Sequence, residues 1–439
     1  MKKNSLLVLL VAIIFLQSCS SSNNISKTVN KEILQQQDLK SAHIGISIFD
    51  IASNSFLYNY QGEKYFVPAS NTKLFSLYAG MKYLGDSLIG IRYFETDTSI
   101  MILPTGDPTL LHRDFLNQPV IDFLKKKNKN IYITDESWKE IGLGSGWSWD
   151  DYNDDYSVER SPMPVYGNFI QWAQSKDAKG EFSSFSIPDI NWKVDFADST
   201  GKEFFVKRNF SENVFVITQG TEEYKQQDVP FVTNGLKSTI ELLKDTVSKN
   251  IFLRHFLLTT HHLPLAILHS QPTDSLFKPM MYRSDNFFAE QTLLMASNEF
   301  LGFMNDEKII DTLLKTDLKD LPQKPVWVDG SGLSRYNLFS PQDFIWLLIK
   351  MKNEFGLERL KKILPTGGAG TLGYYYKQDS GHIYAKTGSM SGVICLSGYL
   401  ITQKNHLLIF SVLVNNCNGS GSAIRMAVAK FLESILSKY

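Results

Sequence analysis

The sequence predicts an α+β fold, in which one antiparallel sheet is built from both ends of the chain and flanked by helices, with a β-rich insert between. Three observations predict it. Near the N-terminus, two strand-like segments run into an apolar helical one; near the C-terminus, three strand-like segments precede an amphipathic helix. Two strands and a helix cannot bury a sheet face alone, so the two ends of the chain need each other. The long middle reads as short strands separated by polar turns.

Taken in order, residues 1–18 have the pattern of a signal peptide, with Lys2 and Lys3 ahead of an apolar run over 6–16 that is short for a membrane span. The run ends in Leu16-Gln17-Ser18-Cys19, which resembles a bacterial lipobox. Cys19 is then the expected lipidation site, residues 19–40 a tether, and the expected location the periplasmic face of a membrane, held there by the lipid.

Residues 42–50 alternate, with Ile44, Ile46 and Ile48 on one face; Ser53-Asn54 marks a turn and 56–60 the returning strand. Pro68 is expected to hold the chain extended. From Asn71 a helix follows, with Leu74, Phe75, Leu77, Tyr78, Met81 and Leu84 spaced for one buried face. Residues 90–262 form the insert, one or two subdomains, with strands expected at 131–134, 192–196, 204–210 and 214–218 and a helix at 236–248. Helices are expected again at 286–299 and 341–352. Strands at 381–386, 393–401 and 406–415 and a helix at 423–438 complete the main domain, which comprises residues 41–89 and 263–439.

The composition is ordinary for a globular protein: 439 residues, 43% hydrophobic, 21% charged, with 45 basic and 45 acidic side chains. A zero net charge gives no electrostatic reason for a nucleic-acid partner. Cys395 and Cys417 lack metal-ligand spacing, and whether they pair is open. His261-His262 has no plausible third ligand, so no metal is expected.

Chemistry concentrates at three places. Ser70 and Lys73 lie three residues apart at a helix entrance, so an amine can reach a hydroxyl whose own N–H is an unpaired helix-start donor. Such a serine can act as a nucleophile. The spacing alone decides little, since Ser275 and Lys278 share it. The second place is Ser284-Asp285-Asn286. The third, Lys386-Thr387-Gly388, occurs once and is expected at the end of a strand. The three in this order are the motif set of class A β-lactamases and penicillin-binding proteins.

The chain resembles penicillin-binding proteins, and within them the D-alanyl-D-alanine carboxypeptidase/endopeptidase family of peptidase class S13. The resemblance spans nearly the whole mature chain. It includes the long insert, Gly106-Asp107-Pro108-Thr109-Leu110, Gly146-Trp147-Ser148-Trp149-Asp150-Asp151 and Asp329-Gly330-Ser331-Gly332-Leu333-Ser334-Arg335. It implies the penicillin-binding-protein/β-lactamase-like transpeptidase fold and a serine carboxypeptidase acting on peptidoglycan stem peptides, acylated by β-lactams, with no cofactor. Ser70 is then the acylated nucleophile and Lys73 its base. A lysine normally titrates near 10.4, so burial and a second cation, Lys386, are expected to bring it down. Ser284 would relay the proton to the leaving amine, and Asn286 would offer its amide to the substrate backbone. Lys386 and Thr387 would meet the terminal carboxylate, Gly388 would admit substrate close to the strand, and the N–H groups of Ser70 and Ser389 would form the oxyanion hole. Asp151 and Arg335 are candidates for contacts with the amino and carboxylate groups of the stem peptide.

Two other functions compete. A β-lactamase needs a carboxylate to activate the deacylating water, and no convincing glutamate stands near the serine in sequence. A penicillin-sensing or scaffold lipoprotein needs no working site, and intact Ser70, Lys73, Ser284, Asn286 and Lys386 argue against that.

Overall fold

The computed structural model describes residues 25–255 and 265–439. Cys19, the expected signal peptide and His261-His262 lie outside them. The main sheet has the order β14-β15-β16-β1-β2, made of β1 (His43–Asp50), β2 (Ser55–Tyr60), β14 (Ile383–Met390), β15 (Val393–Ile401) and β16 (Leu407–Asn415). Every neighbouring pair is antiparallel, and β1 pairs with β16 from His43↔Asn415 to Asp50↔Leu408, which joins the two ends of the chain.

Strand alternation divides the core into two layers, because successive side chains face opposite sides of a sheet. Ile44, Ile46, Ile48, Leu396, Phe410 and Val412 pack under the C-terminal helix Gly421–Lys438. Phe49, Val393, Cys395, Tyr399, Ile409 and Leu413 face the helices Lys73–Tyr83 and Pro341–Phe355. Fully burying such a side chain is worth about 1.5–3 kcal/mol, so each face contributes heavily to the fold.

The helix after Ser70 departs from its expected one-sided pattern. Residues 73–81 are buried all round, because the helices Thr273–Tyr282, Asn286–Leu301 and Pro341–Phe355 pack around this one. The expected α+β class holds, with the helices of the main domain on both faces of an antiparallel sheet.

The segment between carries three further sheets. One, of order β12-β5-β4-β3-β13, joins β3 (Ser87–Glu95), β4 (Ser99–Pro104), β5 (Asn130–Ile133), β12 (Ile251–Leu253) and β13 (Ala266–Pro272). The others are β11-β6-β7, from β6 (Phe169–Lys176), β7 (Phe182–Ile187) and β11 (Tyr224–Pro230), and β8-β10-β9, from β8 (Lys193–Phe196), β9 (Phe205–Arg208) and β10 (Val214–Thr218). They share one apolar cluster with the helix Lys237–Val247, including Ile131, Trp172, Phe215, Phe231 and Leu243. Among the described residues no helix is long and apolar enough to cross a membrane.

Candidate active site

Ser70 lies in a 3-10 turn, Ala69–Thr72, that feeds directly into the helix Lys73–Tyr83. Pro68 does not hold the chain extended. It has φ −84° and ψ −13°, and its carbonyl accepts from Asn71 N at 3.2 Å, so the chain is already turning. Ala69 sits at φ 47°, a left-handed conformation that costs a non-glycine residue on the order of 1–3 kcal/mol. The surroundings hold it there: a Cβ on Gly332 would come within 2.0 Å of the Ala69 carbonyl oxygen, so only glycine lets that loop lie on the turn.

The fully buried Lys73 uses all three ammonium donors. Its Nζ donates to Ser70 Oγ at 2.8 Å, Asn286 Oδ1 at 2.6 Å and the Ser331 carbonyl at 2.7 Å. Asn286 therefore orients the amine. Its Nδ2 donates one of its two hydrogens to the Tyr156 carbonyl at 2.9 Å, and the residue also lines a cavity that opens from Ser70.

The opposite wall is β14. The Lys-Thr-Gly triplet lies inside this strand, not at its end, since pairing continues to Met390↔Val393. A Cβ on Gly388 would stand 2.5 Å from the Pro68 carbonyl oxygen and 2.9 Å from Asn71 Nδ2. Glycine at this position is thus required by the close approach of the nucleophile turn. Asn71 Nδ2 also donates to the Lys386 carbonyl at 3.1 Å, which ties the two walls together. Lys386 Nζ donates to Ser284 Oγ and to the Thr387 carbonyl, both at 2.8 Å. Ser284 has φ 63°, again a strained conformation beside the reacting groups.

Burial brings Lys73 down to about 8, while Asp329, Glu290 and Asp285 pull it the other way. Lys386 is held well below its ordinary value, first by burial and then by Lys73. Burial accordingly dominates on both lysines, and the proximity of the two ammonium groups adds to it. Glu290 is pushed up to about 7, mainly by burial, and Asp329 is also raised by burial.

Two cavities open from the nucleophile, and Ser70, Ser284 and Ser389 line both. The larger, about 620 Å³, is bordered by Trp147, Asp151, Tyr156, Asn286 and Arg335. Burial raises the Asp151 carboxyl, and Arg335 Nη2 donates to the Ser391 carbonyl at 2.8 Å. The other, about 450 Å³, lies beside Thr387, with Tyr376, Leu396, Arg425 and Val428 in its walls. Every site residue named from the sequence within the described range borders one of these cavities, except Lys73, Lys386 and Gly388, which stand behind them.

With that geometry in view, the comparison with known proteins is decisive: the sequence profile of the D-Ala-D-Ala carboxypeptidase 3 (S13) family matches residues 25–435. The chain belongs to that family. Its enzyme class is that of the S13 family, the serine-type D-Ala-D-Ala carboxypeptidases. Among relatives, D-alanyl-D-alanine carboxypeptidase DacB of Haemophilus influenzae is 22% identical, with 91% of each chain covered. D-alanyl-D-alanine carboxypeptidase of Actinomadura sp. (strain R39) is 24% identical over 90% of this chain and 82% of its own. In fold, the chain is similar to the crystal structure of penicillin binding protein 4 (dacB) from Haemophilus influenzae. The TM-score is 0.72 at 18% identity, covering 94% of this chain and 98% of that one. A predatory endopeptidase of Bdellovibrio bacteriovorus shares the fold more distantly, with a TM-score of 0.51 at 14% identity, covering 90% and 92%.

Several groups in this S13 site escaped the sequence. Asp329, quoted there without a role, accepts from Gly332 N, Ser334 N, Asn337 Nδ2 and Trp147 Nε1 at 2.7–3.0 Å. It thereby folds the loop whose Ser331 carbonyl holds Lys73. Glu290 accepts from Ser331 N at 2.7 Å and lies 3.4 Å from the buried Arg160. A carboxylate one helical turn after Asn286 was the available signal, but without the fold an interior glutamate looks like a surface one. Arg425 gave none, because it sits on a helix far along the chain from every motif. Cys395 and Cys417 are both free thiols.

Proposed function

We propose that this chain removes the terminal D-alanine from peptidoglycan stem peptides through an acyl-Ser70 intermediate, and that it also cleaves D-Ala cross-links. The observation that carries the reading is a wholly buried Lys73, brought down to about 8, with its Nζ 2.8 Å from Ser70 Oγ. At pH 7 on the order of one Lys73 in ten is then a neutral amine able to accept a proton. Ser70 Oγ attacks the penultimate D-Ala carbonyl carbon, and its proton passes to Lys73. The C–N bond breaks as the Ser284 hydroxyl, bound to Lys386, relays a proton to the leaving amine. Water then hydrolyses the ester and frees Ser70. The N–H groups of Ser70 and Ser389 bind the oxyanion. Asp151 and Arg335 contact the stem peptide in the larger cavity.

β-Lactams acylate the same serine. One listening point in their favour is that penicillin binding protein 4 of Haemophilus influenzae is known complexed with a β-lactam. Endopeptidase action is supported by cavities on both sides of Ser70, which leave room for peptide beyond the scissile bond. Cys19 carries the lipid that holds the enzyme at the periplasmic face of a membrane.

The test is a digest of purified peptidoglycan with product analysis. Loss of terminal D-Ala from pentapeptides together with conversion of cross-linked dimers to monomers is the expected result. No change in either product would overturn the reading in favour of a sensor or scaffold.

A further inference from the structure

The insert reaches behind the base through one buried arginine. Arg160 is 1% exposed and faces three carboxylates. Its Nη1 donates to Asp306 Oδ2 and to Glu290 Oε2, the latter at 3.4 Å, and its Nη2 lies 3.3 Å from Glu140 Oε1. Among the described residues no other cation stands within ion-pairing distance of these three groups. Arg160 Nε is buried without a hydrogen-bond partner. A buried charge cluster paired this incompletely is weak evidence for stability and asks for another role. The geometry supplies one. Glu290 turns its other oxygen to the Ser331 N–H at 2.7 Å, and the Ser331 carbonyl accepts from Lys73 Nζ, also at 2.7 Å. Glu290 stands one helical turn after Asn286, the other support of Lys73, and Asn286 is itself bound to the Tyr156 carbonyl. Residues 156–160 of the insert thus secure both supports.

We propose that Arg160 is a positioning residue for the reaction: it holds Glu290 as a carboxylate against the Ser331 peptide, so that the insert, and not the main domain alone, sets up Lys73 as the base. The inference rests on the reading of Lys73 as base given above. A guanidinium stays charged across the working pH range, so its hold on Glu290 does not lapse. The surrounding charges fix the sign of the effect. Glu290 feels the attraction of Arg160 and the repulsion of Asp329 and Asp306, and with burial it stands at about 7. Without Arg160 it rises further and is neutral where acylation sets in. Lys73 faces Asp329, Glu290 and Asp285, with the Lys386 ammonium nearby. A neutral Glu290 favours the Lys73 charge less, so Lys73 releases its proton at lower pH.

The test is the pH profile of acylation by a fluorescent penicillin, with circular dichroism to confirm folding. Arg160→Gln should move the rising limb from about 8 to lower pH by roughly half a unit or more, the same direction as Glu290→Gln. The double variant Arg160→Gln/Glu290→Gln should shift no further than Glu290→Gln alone, since the arginine acts through that carboxylate. Arg160→Lys keeps the charge and should restore the wild-type limb. Asp306→Asn relieves buried negative charge and serves where Arg160→Gln does not fold. It should move the limb to higher pH, because Glu290 then ionises more readily. An Arg160→Gln enzyme slowed equally at every pH, with its limb in place, would show a merely structural role and overturn the inference. Additive shifts in the double variant, or a downward shift in Asp306→Asn, would overturn it too. Absence of labelling in wild type would instead overturn the acyl-serine reading, and the inference with it.

Discussion

The two walls of the crevice each bury a lysine, and their surroundings are opposite. Lys73, on the helix wall, faces Asp329, Glu290 and Asp285, which counter the effect of burial and leave it at about 8. Lys386, on the strand wall, has no such carboxylate acting on it among the described residues, and its proximity to Lys73 adds to the effect of burial. Burial alone would drive a lysine neutral; carboxylates placed behind it bring the proton affinity back to where a base can both take and return a proton near neutral pH. The strand lysine, without that support, serves as a donor to Ser284. The difference divides labour between two residues of the same type.

Removing either lysine should break the comparison unequally. Lys73→Ala is expected to lower the second-order rate of acylation by a fluorescent penicillin about 10²- to 10⁴-fold, the usual worth of a general base, with the circular dichroism spectrum unchanged. Lys386→Ala removes the bond to Ser284 and should cost about 10- to 100-fold in the same assay. Equal losses would mean that the two walls do not differ in role.

A pH profile sharpens the comparison. Acylation should rise with pH through about 8 as Lys73 loses its proton. Glu290→Gln removes a charge that holds Lys73 up, so the rising limb should move to lower pH; a shift upward would contradict the assignment. Stability follows the same group. The folded value of about 8 lies below the ordinary 10.5, so the unfolded chain binds more protons between these values. The penalty from Lys73 is complete below about pH 8 and is relieved as pH rises toward 10.5, which thermal unfolding across that window would register.

The smallest effect is expected at the second Ser-x-x-Lys. Ser275 Oγ only donates to the Pro272 carbonyl at 2.5 Å on an exposed helix start. Ser275→Ala should leave penicillin labelling unchanged and stability within about 0.5 kcal/mol.

The contrast between Ser70 and Ser275 also shows what the sequence could reveal. The sheet strands were legible because β15 and β16 are rich in β-branched and large apolar residues, and the closing helix because Ile424, Val428, Phe431 and Ile435 recur at helical spacing. Much of the insert was not. β7 alternates half-buried Phe182, Ser184 and Ser186 with exposed Ser183, Phe185 and Ile187, and β11 begins with polar exposed residues, so neither shows a clear apolar face. The helix Thr273–Tyr282 contains Pro279, which reads as a breaker although the helix continues past it. At the site, residues with a motif were visible, whereas Glu290, Arg160 and Arg425 act through contacts that span the fold and have no local pattern.

The most direct test of the account is to map the penicillin adduct. Wild type treated with a fluorescent penicillin should yield, by mass spectrometry, one modified peptide with the label on Ser70, and Ser70→Ala should yield none. Label retained by Ser70→Ala, or found on another serine in wild type, would contradict the account.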